Sequence, residues 1–181
     1  MSDTMTIRDV AASDYEPWLT LWNGYNAFYG RSGPTALPAE VTQTTWQRFF
    51  DAREPVYALV AELDGSLIGL THYLFHRSTT LIAPICYLQD LYTAPERRRT
   101  GVGRALIEAL VERAAAAGKR VMVAVVDAEN VGSVRFHERC GFIEVARMPD
   151  IGFKFGRWLT LVLLQRRVDG TRLGENNVSE R

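Results

Sequence analysis

The residue types best suited to chemistry are gathered in one short segment, residues 91–106 (LYTAPERRRTGVGRAL). The pattern predicts the end of a strand, a loop containing Arg98, Gly101 and Gly103, and the start of a helix. A helix N-terminus carries unpaired backbone N–H groups and a partial positive charge, and glycines let a phosphate approach those groups. Positive charge is added at the same point by Arg97, Arg98, Arg99 and Arg104. The segment therefore predicts a site for a polyanion, most simply a pyrophosphate.

The two glycines alone leave other interpretations open. A dinucleotide-binding fingerprint needs a third glycine, which the following Arg104-Ala105-Leu106 does not supply. A P-loop is excluded because no Gly-Lys-Ser/Thr follows. The remaining alternative is a tight turn surrounded by solvated arginines.

A second polar set lies on a predicted helix at residues 131–140. Asn130, Ser133 and His137 are spaced i, i+3 and i+7, so they share one helix face, as a ligand-lining helix requires. The alternative is an N-cap Asn followed by a solvated polar face. An imidazole with an unperturbed pKa of ~6.5 can donate or accept a proton near neutral pH, although His137 could also serve only as a hydrogen-bonding group.

The remaining histidines and the cysteines predict no metal site. His72 and His76 share one face of a predicted strand, where they either line the acceptor cleft or are packed or surface histidines. Cys86 and Cys140 are expected to be buried small apolar residues. Three histidines and two dispersed cysteines do not form a metal-ligand cluster.

Hydrophobic periodicity predicts the elements that must position these residues. The turn dipeptide Asp64-Gly65 predicts a hairpin within an antiparallel meander. The predicted elements are strand 7–10, helix 15–29 with Asp14 as its N-cap, helix 39–51, strands 57–63, 67–75 and 85–93, helix 102–118, strand 121–126, helix 131–140, and strands 142–146 and 158–165. This order predicts an α/β (α+β) fold in which helices flank one central sheet.

Two apolar patterns predict where the core lies. The run VMVAVV at residues 121–126 is typical of a buried, parallel strand. The first helix carries an aromatic stripe, which we interpret as core rather than as a cofactor-binding face. That stripe consists of Trp18, Leu21, Trp22, Tyr25 and Phe28.

Length and composition bound the class of protein. The chain has 181 residues, 47% of them apolar and 23% charged, which suits a globular domain. We expect one domain over residues 1–168 and a disordered polar tail at 169–181. Basic and acidic residues balance at 21 each, which argues against a nucleic-acid partner. With few cysteines, no signal-peptide core and no long apolar run, we expect a cytoplasmic protein without a membrane partner.

Two motifs taken together resemble the GNAT superfamily of N-acetyltransferases. The RxxGxG pattern at residues 98–103 fits the Arg/Gln-x-x-Gly-x-Gly/Ala loop of that family. NxxS at 130–133, followed by FHERCGF at 136–142, resembles the second half of its signature. The resemblance covers about residues 7–165 and is most specific over 89–142.

The resemblance implies a mixed, mostly antiparallel sheet that is splayed at a binding site for acetyl-CoA, the co-substrate. The backbone of the strand before the loop is implied to bind the pantetheine arm, and the loop amides the pyrophosphate. The binding residues that it implies are Leu91, Tyr92, Thr93, Arg98, Arg99, Thr100, Gly101, Val102, Gly103, Arg104, Asn130 and Ser133.

The resemblance also implies the catalytic groups. Many members place a tyrosine at the position of His137 to protonate the coenzyme A sulfur, and the phosphinothricin acetyltransferases share the departure seen here. Those enzymes carry a glutamate on the strand before the loop, where this chain has Leu88. We expect Asp90 to act as the general base by taking a proton through water. A structural hydrogen bond or an anchor for a cationic substrate are the alternatives for Asp90.

Different parts of the chain resemble different branches of the family. Residues 134–142 and 152–158 resemble the phosphinothricin acetyltransferases, which acetylate the α-amine of a glutamate-like amino acid. The first helix and the LVAELDG and CYLQDL segments resemble a branch that acetylates polyamines and basic peptides. The resemblance also implies a loop at 148–158 beside the acceptor cleft. There, Lys154 and Arg157 either bind an acceptor carboxylate or are solvated.

We therefore expect an acetyl-CoA-dependent N-acetyltransferase that acts on a primary amine of a small molecule by direct attack. The acceptor is expected to be an amino acid, another amine or an antibiotic, and no metal is required. The alternatives are acetylation of a protein or peptide, at its N-terminus or a lysine, and a non-catalytic acyl-CoA-binding sensor. A homodimer is among the oligomeric states that the sequence allows.

Overall fold

The computed structural model describes residues 4–77, 79, 85–154 and 156–170. The helices and strands follow the predicted order along the chain. They are β1 (Thr6–Asp9), α1 (Tyr15–Phe28), α2 (Ala39–Arg48), β2 (Val56–Leu63), β3 (Ser66–His76), β4 (Ile85–Thr93), α3 (Val102–Ala116), β5 (Val121–Asp127), α4 (Val131–Arg139), β6 (Ile143–Lys154) and β7 (Arg157–Arg167).

The strands form one seven-stranded sheet in the order β1-β2-β3-β4-β5-β7-β6. Its strand pairs are antiparallel except for β4 and β5, which run parallel. A parallel pair needs a crossover connection, and α3 supplies it. The predicted hairpin is confirmed, with Asp64 and Gly65 at φ values of 50° and 75° between β2 and β3. The expected mixed, mostly antiparallel sheet flanked by helices is thus confirmed.

The core lies on both faces of this sheet because neighbouring strand residues point to opposite sides. On β2, Leu59 and Ala61 belong to the cluster that includes α3, whereas Val60 belongs to the cluster that includes α1. The aromatic stripe of α1 packs in the second cluster, with Trp18 fully buried. The prediction that this stripe belongs to the core is confirmed for Trp18, Leu21, Trp22 and Tyr25, whereas Phe28 is 54% exposed.

The last two strands are longer than the sequence predicts. Residues 148–158 were expected to form a connecting loop, but most of them extend the β6–β7 hairpin. The pairing register shifts between Met148 and Gly152, and Asp150 there adopts a positive φ of 52°. Such an irregularity interrupts the alternation of apolar residues, which explains why periodicity did not reveal the strand.

Asp14 does not act as the predicted N-cap of α1. No hydrogen bond joins its side chain to the first turn of that helix. Its carboxylate instead accepts hydrogen bonds from the Arg8 guanidinium and from the Ala11 backbone N–H. The guanidinium holds the pKa of the Asp14 carboxyl below its usual range. This ion pair ties the entry of α1 to β1.

The single domain expected over residues 1–168 and the disordered tail expected over 169–181 both remain expectations. Residues 171–181 of the predicted tail lie outside the described residues, and Asp169 forms ion pairs with Arg120 and Arg167. Among the described residues, no helix is long and apolar enough to span a membrane.

Candidate active site

The site begins where β4 and β5 part. The two strands pair at Cys86–Met122, Tyr87–Val123 and Leu88–Ala124, and the pairing stops there. On its other edge, β4 stays paired with β3 through Thr93, after a bulge that leaves Gln89 between the paired positions Leu88 and Asp90. Among the described residues, the edge of β4 that faces β5 therefore has no strand partner from residue 89 onward, and the sheet is splayed as expected.

Three of the cavities in the described structure follow one another along β4 and share wall residues. The loop cleft, of about 570 Å³, lies between the 97–104 loop and α4. The central cavity, of about 200 Å³, lies in the splay between β4 and β5. The side cavity, of about 390 Å³, lies between β3, β4 and the segment from α1 to α2. The loop cleft and the central cavity share Tyr25, Tyr29, Leu91, Ser133 and His137, and the central and side cavities share Gln89 and Asp90.

The loop cleft brings together the residues that were predicted to bind the co-substrate. Its wall includes Leu91, Tyr92, Thr93, Arg98, Arg99, Gly101, Val102, Gly103, Arg104, Asn130 and Ser133. Thr100 is not part of that wall, and its hydroxyl donates to the carbonyl of Arg97 at 2.7 Å, which closes the loop. Arg97, one of the arginines expected around the polyanion site, also lines the cleft, as do Phe28 and Phe136, which were not predicted as site residues.

The loop before α3 presents a row of free amides. No backbone N–H from residue 99 to residue 104 donates to a protein acceptor within the part of the chain that the structure describes. Gly101 has a φ of +96°, and a Cβ atom at this position would meet nothing within 4 Å. Because these amides coincide with the positive end of the α3 dipole, the loop is suited to an anionic ligand.

Aromatic rings hold one of the loop arginines. The Arg98 guanidinium lies 5.7 Å from the Phe28 ring centroid and 5.8 Å from that of Tyr92. Cation–π contacts of this kind fix the direction of an arginine without using its hydrogen-bond donors. Arg98 therefore remains able to bind a phosphate.

Asn130 and Ser133 stand at the start of α4. The Asn130 side chain accepts from the Ser133 backbone N–H at 3.1 Å, so Asn130 is the helix N-cap that the sequence offered as an alternative. Both residues nevertheless line the loop cleft. Gly103 packs closely against this helix, since a Cβ on it would lie 3.2 Å from Cζ of Phe136.

His137 is buried between the loop cleft and the central cavity, with 5% of its surface exposed. Its Nδ1 lies 2.8 Å from the Ser133 carbonyl oxygen, which can only accept, so Nδ1 carries the proton. In the neutral ring Nε2 then holds a lone pair. Burial lowers the pKa of His137 below its ordinary value, which favours this neutral form.

The Asp90 carboxylate is held by His72, which Trp18 orients in turn. His72 Nδ1 lies 3.0 Å from Asp90 Oδ2, and Trp18 Nε1 donates to His72 Nε2 at 3.0 Å. Since an indole nitrogen can only donate, His72 Nε2 is an acceptor and its proton lies on Nδ1, directed at Asp90. Burial, and after it the charge of Asp90, raises the pKa of the Tyr25 hydroxyl.

Two tyrosines of the site were not among the residues predicted from the sequence. Tyr25 and Tyr29 line both the loop cleft and the central cavity. Burial and the charge of Asp90 raise the pKa of Tyr29, so both hydroxyls stay protonated near neutral pH. Their i, i+4 spacing on a stripe of core residues was the available signal, but it does not distinguish a core position from a cavity wall.

The two strand histidines separate in the structure. His72 is buried and also lines the side cavity, so it is both a packed residue and a cleft residue, two interpretations that the sequence left open. His76 lies at the end of β3 and is exposed. Among the described residues, no group of three or more metal-ligating side chains could hold a metal ion.

The cationic hairpin segment does not present a free arginine. Arg157 is exposed and forms an ion pair with Glu129 through both of its terminal nitrogens. The Lys154 side chain lies outside the described part of the structure. The same hairpin does reach the site, since Gly152, Leu159 and Leu161 line the central cavity.

Comparison with known proteins identifies relatives over nearly the whole chain. Residues 18–142 match the model of the acetyltransferase (GNAT) family. An L-methionine sulfoximine/L-methionine sulfone acetyltransferase of Pseudomonas paraeruginosa is 33% identical over 174 residues, covering 92% of this chain and 96% of the relative. A phosphinothricin N-acetyltransferase of Alcaligenes faecalis is 33% identical, covering 89% of this chain and 81% of the relative.

The fold matches a solved structure as well. The crystal structure of a GNAT superfamily phosphinothricin acetyltransferase from Sinorhizobium meliloti, in complex with acetyl-CoA, superposes with a TM-score of 0.75. The two chains are 28% identical, and the match covers 98% of this chain and 92% of that one.

Proposed function

The chain belongs to the acetyltransferase (GNAT) family and is an acetyl-CoA-dependent N-acetyltransferase of small-molecule amines, and from this premise we propose that its acceptor is the α-amine of an amino acid. The two relatives above are named for methionine sulfoximine, methionine sulfone and phosphinothricin, all of which are amino acids. Each is 33% identical to this chain over most of its length. The resemblance found in the sequence is thereby confirmed at the family level.

The row of free amides at residues 99–104 is the observation that carries the co-substrate assignment. These N–H groups, with Arg98 and Arg104, would bind the pyrophosphate of acetyl-CoA. The unpaired edge of β4 at Leu91, Tyr92 and Thr93 would bind the amides of the pantetheine arm, as a missing strand would. Acetyl-CoA then supplies the acetyl group as a thioester in the central cavity.

Asp90 is the group that we assign to deprotonate the acceptor. An amino acid arrives with an ammonium group, which must lose a proton before its nitrogen can attack. Asp90 lines both the central and the side cavity, so it borders the acceptor on one side and the thioester on the other. His72 orients its carboxylate by donating a hydrogen bond, and the proton that Asp90 accepts passes on to solvent.

His137 is assigned to supply the proton to sulfur. Attack of the neutral amine on the thioester carbonyl forms the N–C bond. The attacking nitrogen still carries one excess proton when the C–S bond breaks. Neutral His137 offers a lone pair on Nε2, so it can take that proton and deliver it to the departing thiolate. The products are the acetamide and the coenzyme A thiol, with one proton released through Asp90.

Separate observations support the remaining partners and the location. We propose a homodimer formed through β6, because β6 ends the sheet and exposes Ile143, Val145, Ile151 and Phe153. The neutral net charge supports a small-molecule acceptor rather than a nucleic acid. Cys86 and Cys140 are free and buried, which supports a reducing, cytoplasmic location.

The proposed function is tested by following thiol release from acetyl-CoA over a panel of acceptors. The panel contains L-methionine sulfone, L-phosphinothricin, a D-amino acid, spermidine, an aminoglycoside and a lysine peptide. We expect turnover of the amino acids. Turnover of only spermidine or the peptide would overturn the acceptor class, and no turnover of any acceptor would overturn the whole assignment.

A further inference from the structure

Arg31 lies just beyond α1 and lines the side cavity, on whose wall Asp90 also lies. Its backbone N–H donates to the Asn26 carbonyl at 2.9 Å, and its Nε donates to Asn26 Oδ1 at 2.7 Å. Its guanidinium lies 5.9 Å and 5.7 Å from the ring centroids of Tyr25 and Tyr29. Asn26 is itself 4% exposed and is fixed by its own bond to the Trp22 carbonyl. Arg31 is therefore held by a buried amide and two rings.

None of these contacts neutralises the charge of Arg31. No carboxylate lies within ion-pair distance of its guanidinium among the residues that the structure describes. Arg48, on the same cavity, lies 3.8 Å from Glu54, and Arg157 pairs with Glu129. Because Nε is used by Asn26, the terminal nitrogens of Arg31 keep their donors free for a planar anion.

A second donor in the same wall lacks an acceptor. The Trp22 indole N–H is buried and has no hydrogen-bond partner in the described structure. A buried donor without an acceptor costs free energy, and a ligand oxygen would remove that cost. The side cavity thus combines a free guanidinium and an unsatisfied N–H with the carboxylate of Asp90.

From this arrangement we propose that Arg31, assisted by Trp22, binds the α-carboxylate of the acceptor while Asp90 receives its ammonium group. The inference rests on the proposed function and places the amino acid in the side cavity, next to the thioester in the central cavity. An α-amino acid carries one group of each charge, as this cavity requires. A polyamine carries only positive charge, which Arg31 would repel.

The test uses two acceptors that differ by one group. L-methionine sulfone and 3-(methylsulfonyl)propylamine share the amine and the sulfone, but only the first has a carboxylate. For Arg31→Met we expect KM for the amino acid to rise about 10- to 100-fold, as for loss of a hydrogen bond to a charged group. KM for the amine should stay within about twofold of the wild-type value. Arg31→Lys keeps the positive charge but not the two parallel N–H donors of the guanidinium. Its KM for the amino acid should lie between those of the wild type and Arg31→Met.

Further variants separate binding from folding. Methionine keeps an apolar stem against Tyr25 and Tyr29, and an unchanged Kd for acetyl-CoA would show that Arg31→Met is folded. Arg53→Met is the matched control, because Arg53 is exposed, pairs with Asp51 and lies outside the three cavities. Trp22→Phe should raise KM for the amino acid more than for the amine.

The possible results overturn either the carboxylate site alone or the amino-acid function together with it. An equal KM change for both acceptors, or none, overturns the carboxylate site while leaving the acetyltransferase assignment in place. Wild-type turnover of the amine at a KM equal to that of the amino acid overturns it too. If wild-type protein acetylates spermidine but neither sulfone compound, the amino-acid function and this inference fail together.

Discussion

His72 and Asp90 face each other across β3 and β4, with the imidazole Nδ1 3.0 Å from the carboxylate Oδ2. Trp18 fixes the other ring nitrogen, so His72 can only donate to Asp90. The contact stands directly beside the bulge at Gln89, where β4 leaves β5. The buried histidine therefore sets the direction of the carboxylate at the point where the sheet opens.

Removing the His72 donor should weaken catalysis without weakening acetyl-CoA binding. For His72→Phe we expect kcat to fall about tenfold, the value of one hydrogen bond to a charged group. His72→Asn keeps a donor near the position of Nδ1 and should recover much of that loss. Steady-state kinetics across pH check this, because a positioning role alters the pH profile of kcat. Equal activity in both variants and the wild type would contradict it.

Asp90→Asn should abolish most of the turnover. An amide cannot take the ammonium proton, so we expect kcat to fall about 10²-fold or more, with the Kd of acetyl-CoA unchanged. Asp64→Asn, in the exposed β2–β3 turn, is the matched control and should behave as wild type. Full activity of Asp90→Asn would reassign Asp90 to a structural hydrogen bond.

His137 should make the stability of the protein pH-dependent. Burial lowers the pKa of His137 in the folded protein. Below about pH 6.5, the histidine is therefore protonated in the unfolded chain while it is still neutral in the folded protein. The free energy of unfolding should therefore decrease as pH falls below ~6.5 and level off below the folded pKa. Urea unfolding of the wild type and of His137→Gln at about pH 7.5 and pH 5.5 measures the difference. The same slope in both proteins would contradict the buried neutral form.

His137→Phe should also separate binding from turnover. The ring volume is kept but Nε2 is lost, so we expect a fall in kcat of about 10²-fold with near-normal acetyl-CoA affinity. Calorimetric titration and the thiol-release assay measure the two quantities. An unchanged kcat would contradict the catalytic role and reassign His137 to a structural hydrogen bond with the Ser133 carbonyl.

Gly101 and Gly118 form a matched pair for testing the phosphate loop. Both have positive φ, +96° and +70°, and a Cβ on either meets nothing within 4 Å. Alanine at each position should therefore cost a similar amount, about 1 kcal/mol of backbone strain. Only Gly101→Ala should raise the Kd of acetyl-CoA, and Gly101→Val should raise it further. Equal affinities of the Gly101 and Gly118 variants for acetyl-CoA would contradict the proposal that this loop binds the pyrophosphate.

The exposed edge of β6 gives the proposed homodimer a direct test. Phe153 is 60% exposed and Val145 43%, so glutamate at both positions should yield monomers in light scattering. Val41→Glu, on α2 at 45% exposure, is the control and should keep the wild-type mass. A wild-type protein that is already monomeric would overturn the proposal.

The sequence by itself determined the glycine-containing loop before α3 and most of the fold. The glycines, the arginines and the onset of α3 act within a few residues, and their free amides follow from helix geometry alone. The β2–β3 turn is equally local, because Asp64-Gly65 supplies the positive φ values that a tight hairpin needs. Such features are readable because the groups that interact are neighbours in the chain.

The tertiary structure alone decided which polar side chains meet. Asp14 has the residue type of a helix cap, yet the nearby Arg8 takes its carboxylate. Tyr25 belongs to a core stripe, yet it lines the central cavity together with Asp90 because α1 packs beside the open end of the sheet. His72 reaches Asp90 only through the β3–β4 register, which a shift of one residue would reverse. Register and packing depend on the whole sheet, so no local pattern encodes them.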